Sequence, residues 1–119
     1  MAYIYCLVDE KKDHALVKIG YSTNLFRRLA HYDTHNAELK FIGACECYKK
    51  TAHGLEKEFQ AEIEKIGFSR LKGSLMRAET EWFAVGYDNQ LYIDLMDKGM
   101  KAFRTTKNRK IYNPFNVVE

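Results

Sequence analysis

The stretch "YIYCLVDEKKDHALVKIGYSTNLFRRLAHY", Tyr3 to Tyr32, decides the fold. Its first six residues are β-branched, aromatic or otherwise apolar, and they end at the charged "DEKKD". A second apolar run, "HALVKIG", follows at once, so the polar segment between them predicts a β-hairpin. Gly20 ends the second run, and Ser22, Thr23 and Asn24 are N-cap candidates for a helix carrying Leu25, Phe26, Leu29 and Tyr32. Strand, strand and helix within thirty-odd residues favour an antiparallel sheet with helices packed on it.

Further along, "AELKFIGACECY" predicts a third strand, long or bulged at Gly43. From about Thr51 to Ile66, Leu55, Phe59, Ile63 and Ile66 recur at helical spacing and mark a buried stripe, with Gly67 placed to end the helix. "SRLKGSLMRAET" reads as a polar, basic loop, "EWFAV" as a short strand and "NQLYIDLMDKGM" as a third helix. The last stretch, from Lys101, is either a tail or a final strand. The expectation is one α+β domain with a small, mostly antiparallel three-stranded sheet flanked by helices. Its core spans about residues 2–84, and a C-terminal helix and basic tail fill 85–119.

Composition bounds the function. At 119 residues the chain suits a single domain, and 46% hydrophobic with 29% charged residues is ordinary for a globular protein. A formal charge of +3 permits a nucleic-acid partner without demanding one. No apolar run approaches a membrane span, and the N-terminus does not read as a signal peptide, so a cytoplasmic protein is expected, with a bacterial host cytoplasm as one setting. The three cysteines, Cys6, Cys45 and Cys47, are an odd number inside apolar segments. They suit reduced thiols that pack as small hydrophobes, with zinc as the lesser alternative.

Four motifs in order resemble the GIY-YIG endonuclease superfamily, in the phage and meiotic-gene branch with Lys-Ile-Gly and a late Glu-Trp-Phe. Tyr3-Ile4-Tyr5 stands for the first motif and Lys18-Ile19-Gly20 for the second. Arg28 lies where the family's arginine is expected, and "HGLEKEF" with Glu56 matches its glutamate segment. The resemblance implies a metal-dependent nuclease that hydrolyses DNA phosphodiester bonds, with RNA not excluded. In that reading Tyr5 activates water, Lys18 assists, Arg28 clamps phosphoryl oxygens, and Glu56 holds one Mg²⁺ or Mn²⁺. A cation such as Lys18 on the paired strand would favour phenolate at Tyr5.

The departures are Tyr3 for glycine, Lys18 for tyrosine and Gln60 where many relatives carry histidine. The family's additional polar residue, often asparagine, has Asn89 as its one possible match. Glu81 of "EWF" is a candidate for ordering the arginine or the loop.

Each residue also has a plainer reading. Tyr3 and Tyr5 share a strand face and can simply pack; Lys18 can be a solvated strand residue; Glu56 can be a solvated helix residue. His31 shares the Arg28 face and is either a phosphate contact or a solvated histidine. Tyr21, Arg27, Lys72 and Arg77 are the expected nucleic-acid contacts. The alternative function is a catalytically inactive module of the same fold. It would grip nucleic acid or a host protein through the loop around Lys72 and Arg77 and the tail from Lys101 to Lys110. A homodimer or a separate specificity partner fits a chain without room for a recognition domain.

Overall fold

The structure is a computed structural model, and it describes residues 1–36, 38–72 and 79–102 and the short strand 111–112. The first hairpin pairs β1 (Ala2–Glu10) with β2 (Ala15–Ser22), in a register that sets Tyr5 opposite Gly20 and Leu7 opposite Lys18. β3 (Lys40–Cys47) lies on the other side of β1, and the register shifts between Cys6 and Leu7. Gly43 faces Cys6 and Phe41 faces Leu7, so the extra residue is Ile42, the bulge expected beside Gly43.

The α+β class and the antiparallel pairing hold, but the sheet has six strands among the described residues rather than three. The order is β4-β5-β2-β1-β3-β6, with β4 at Ser69–Lys72, β5 at Glu79–Val85 and β6 at Ile111–Tyr112. The basic segment read as a loop therefore contributes a strand at its start. β4 has two half-buried and two exposed residues, so it lacks the apolar alternation that marks a strand with one face in the core.

Residue parity along β1 divides the core. Ile4, Cys6 and Val8 face one side and join Val17, Ile19, Phe59, Ile63, Phe83 and Leu95 in the larger cluster. That side is covered by α2 (Lys49–Lys65) and α3 (Gln90–Lys98). Tyr5 and Leu7 face the other side and pack with Leu25, Leu29 and Ala44 beneath α1 (Leu25–His35). The three cysteines are buried thiols outside any disulfide and part of the larger cluster.

The helix ends follow local chemistry. Asn24 caps α1, its side chain accepting from the Arg27 amide. Gly67 takes φ +105 just past α2, a backbone conformation that side chains rarely tolerate. Phe26, one of the apolar residues of α1, is 53% exposed, because α1 turns Leu25 and Leu29 to the sheet.

Candidate functional site

β5 pairs with β2 only from Ala15 to Lys18, whose partner is Trp82. Residues 19–22 of β2 thus continue past the last pair, which leaves a notch in the β2–β5 hydrogen-bond ladder. Gln60 of α2 lies at this notch, fully buried, and its Nε2 donates to the Ile19 carbonyl at 2.9 Å. Arg70 of β4 donates to the Gln60 Oε1 and to Glu64, each at 3.2 Å, while its guanidinium lies 4.8 Å from the Phe83 ring centroid. A β2 carbonyl that a neighbouring strand would satisfy in a continuous sheet is instead held by a side chain.

Lys18 is buried, at 8% exposure, and its ammonium donates to Glu81 Oε2 at 2.8 Å. The same nitrogen lies 5.5 Å from the Tyr32 ring centroid and 5.6 Å from that of Trp82. Burial opposes its charge, but the Glu81 and Tyr32 contacts outweigh that and raise its pKa. The solvated-lysine reading is therefore set aside.

Tyr5 is 1% exposed, and its hydroxyl lies 3.3 Å from that of Tyr32. Gly20, directly opposite, makes room for that hydroxyl: a Cβ there would stand 2.7 Å from the Tyr5 oxygen. This close approach is why the second motif needs glycine at Gly20. The expected easing of Tyr5 ionisation by Lys18 is not met. Burial and the Tyr32 hydrogen bond raise the Tyr5 pKa, and the cation acting in the other direction is Arg28. Lys18 stands opposite Leu7, a diagonal step from Tyr5, and spends its charge on Glu81.

Glu56 is the most unusual group. It is 1% exposed, and its Oε2 is the one buried side-chain oxygen among the described residues without a hydrogen-bond partner. Burial first, and then the neighbouring Glu81 charge, push its pKa up to about 7, against weaker pulls from Lys57 and Lys18. An unpartnered buried oxygen costs about 1–3 kcal/mol, which sets this carboxyl apart from the other buried polar side chains described.

The remaining expectations divide. Arg27, Arg28 and His31 line one cavity of about 390 Å³ with Ser22, Thr23 and Asn24, at the start of α1. Tyr21 stands edge-on to His53, ring centroids 5.7 Å apart. Lys72 is exposed on β4, away from the Tyr5–Tyr32 pair in topology, and Arg77 lies outside the described residues, as does most of the basic tail. Asn89 is no site residue: its side chain accepts from the Leu91 and Tyr92 amides to cap α3 and donates to the Ile66 carbonyl.

The sequence offers Tyr32 only as one of the residues carried by α1, yet it touches both Tyr5 and Lys18. Its spacing four residues after Arg28 places the two on one helix face, which is the signal that was available.

The family model of the T5orf172 domain matches residues 2–97. The chain belongs to that family. It is a phage-associated domain within a nuclease-like superfamily. Neither a curated protein nor a solved structure matches the chain. The matched span contains every element from β1 to the body of α3, and with them Tyr5, Lys18, Arg28, Tyr32, Glu56 and Glu81.

No cluster of three or more His, Cys, Asp or Glu side chains able to hold a metal occurs among the described residues. The donor set at the notch nevertheless suits a hard divalent ion. Mg²⁺ and Mn²⁺ keep several waters and bind through one or two carboxylates plus substrate phosphate oxygens. The orphaned Glu56 oxygen, with Glu81 beside it, meets that requirement.

Proposed function

We propose that the protein is a metal-dependent nuclease of GIY-YIG type that hydrolyses DNA phosphodiester bonds and is encoded by a phage or mobile element. The observation that carries this reading is the convergence of a buried tyrosine hydrogen-bonded to a half-buried one, a buried lysine and an unpartnered carboxyl oxygen at one interruption in the sheet. Glu56 would hold one Mg²⁺ or Mn²⁺. When bound, the ion supplies Lewis-acid polarisation of a phosphoryl oxygen and eases ionisation of water.

Tyr5, a phenol in the free protein, orients the attacking water through its hydroxyl. Tyr32 links that hydroxyl to the Lys18 ammonium, and this chain of donors fixes the direction in which the Tyr5 oxygen presents its lone pair to the water. Arg28 offers a planar fork of donors to the non-bridging oxygens, where charge grows in the transition state. Arg27 and His31, in the same cavity, contact a neighbouring phosphate. Glu81 fixes Lys18.

Plasmid nicking with Mg²⁺ or Mn²⁺, abolished by chelator and by Arg28→Ala, is the expected result. Cleavage that survives both chelator and Arg28→Ala would overturn the reading. RNA as substrate, a homodimer and a separate specificity partner all remain compatible with this chemistry. The burial of Glu56 favours one alternative, a module that binds nucleic acid without cutting it. Metal-independent binding with no nicking would select that alternative.

A further inference from the structure

A strip of aromatic and cationic side chains leads away from the notch along the exposed side of α2. Tyr21 follows Gly20 directly and is 37% exposed, edge-on to the His53 ring. His53 lies one helical turn before the buried Glu56 and the exposed Lys57. One turn further back stand Lys49 and Lys50, both exposed, and then Tyr48 at 70% exposure. Tyr48, Lys49, Lys50 and Met1 border a shallow cavity of about 590 Å³.

Local structure does not account for these residues. Tyr48 occupies the N-cap of α2 yet makes no side-chain capping bond. The first turn of α2 carries two lysines and no acid, although acids are favoured there and cations disfavoured. A side chain at 70% exposure packs nothing in the core. Breaches of local preference that bring no structural gain mark sites of function.

We propose that this strip holds an unpaired DNA strand flanking the bond cut at the notch, so that the substrate carries a single-stranded segment at the cut. Lysines alone would suit the phosphates of any duplex. Open aromatic faces add something a duplex cannot use, because its bases are already stacked on one another. An unpaired strand offers both phosphates to Lys49, Lys50 and Lys57 and free base faces to Tyr48 and Tyr21. Each turn of α2 advances about 5.4 Å, so the strip follows a strand running from the Glu56 notch toward Tyr48. The inference rests on the nuclease reading for the position of the cut but not for the binding itself.

The test is fluorescence anisotropy in EDTA with a fluorescein-labelled oligothymidylate and with a duplex of equal length. The single strand is expected to bind more tightly. Tyr48→Ala should weaken it by about 5- to 150-fold, from the usual worth of one aromatic–base stack. Tyr48→Phe should restore the affinity, and duplex binding should be unmoved by either change. Replacing Lys49 and Lys50 together by Gln should lower the salt slope for the single strand by about 0.7 per lysine.

Equal affinity for strand and duplex, or equal loss in Tyr48→Ala and Tyr48→Phe, overturns the proposal. Nicking without strand preference overturns it while leaving the nuclease reading intact. Strand preference without nicking has the opposite outcome, retaining the strip and removing the nuclease.

Discussion

Glu56→Gln should make the protein more stable at pH 8 and inactive as a nuclease. The wild-type carboxyl has its pKa moved from 4.5 to about 7 by burial and by Glu81. A folded state that holds the proton more tightly than the unfolded chain loses stability as pH rises. That loss begins near the unfolded value and is complete once pH passes the folded one. Between pH 4.5 and 7 the wild type should therefore lose about 2–3 kcal/mol on this account, at about 1.36 kcal/mol per tenfold change in proton affinity. Glutamine has nearly the same shape and does not ionise. The variant should match the wild type near pH 5 and exceed it by about 2–3 kcal/mol at pH 8.

Urea denaturation at pH 5 and pH 8, with and without Mn²⁺, reads this directly. Saturating Mn²⁺ at 100 times its dissociation constant would return about 2.7 kcal/mol to the wild type and nothing to the variant. A Glu56→Gln protein destabilised equally at both pH values would refute the claim that this carboxylate is penalised by its surroundings. A Mn²⁺ response retained in the variant would refute its role as the ion's ligand.

Gly20→Ala would place a Cβ 2.7 Å from the Tyr5 hydroxyl oxygen and 2.8 Å from its ring carbon, inside a packed cluster. The expected cost is about 1–3 kcal/mol in urea midpoint terms, with nicking reduced about 100-fold because the Tyr5 hydroxyl must move. Unchanged nicking would show that the hydroxyl position is not critical. Gln60→Leu keeps the volume but removes the donor to the Ile19 carbonyl and one of the acceptors of Arg70. It should cost about 1–3 kcal/mol and speed amide exchange across residues 19–22, whereas slow exchange there would place the support of β2 elsewhere.

How far the fold could be read depended on how local its signals were. The hairpin announced itself through two apolar runs split by a charged segment, and α1 and α2 through helical spacing and through Asn24 and Gly67 at their ends. β4 did not, because an edge strand that is half exposed has no apolar alternation to display.

The site divides the same way. Tyr5, Lys18, Arg28 and Glu56 came from ordered motifs, and the structure brings Tyr5, Lys18 and Arg28 near one face while Glu56 reaches the notch from α2. The state of each group was not legible. Glu81 meets Lys18 across 63 residues of chain, and Tyr32 meets Tyr5 across 27, so neither contact leaves a local trace. Tyr32 also looks like a core residue by spacing, since its ring does pack with the smaller cluster while its hydroxyl serves the site.

The alternation of β1 separates two kinds of selection along a single strand. Ile4, Cys6 and Val8 belong to the cluster that holds the domain together, while Tyr5 turns its hydroxyl toward Tyr32 on the reverse side. If the proposed nuclease chemistry holds, drift at Tyr5, Lys18 or Glu56 would erase turnover without touching the larger cluster's packing on β1. A domain wired this way can shed its chemistry and survive as a binding scaffold, or regain it through few substitutions. Within one lineage, cutting and non-cutting descendants would then differ at a handful of polar positions and share the apolar side of β1 almost unchanged.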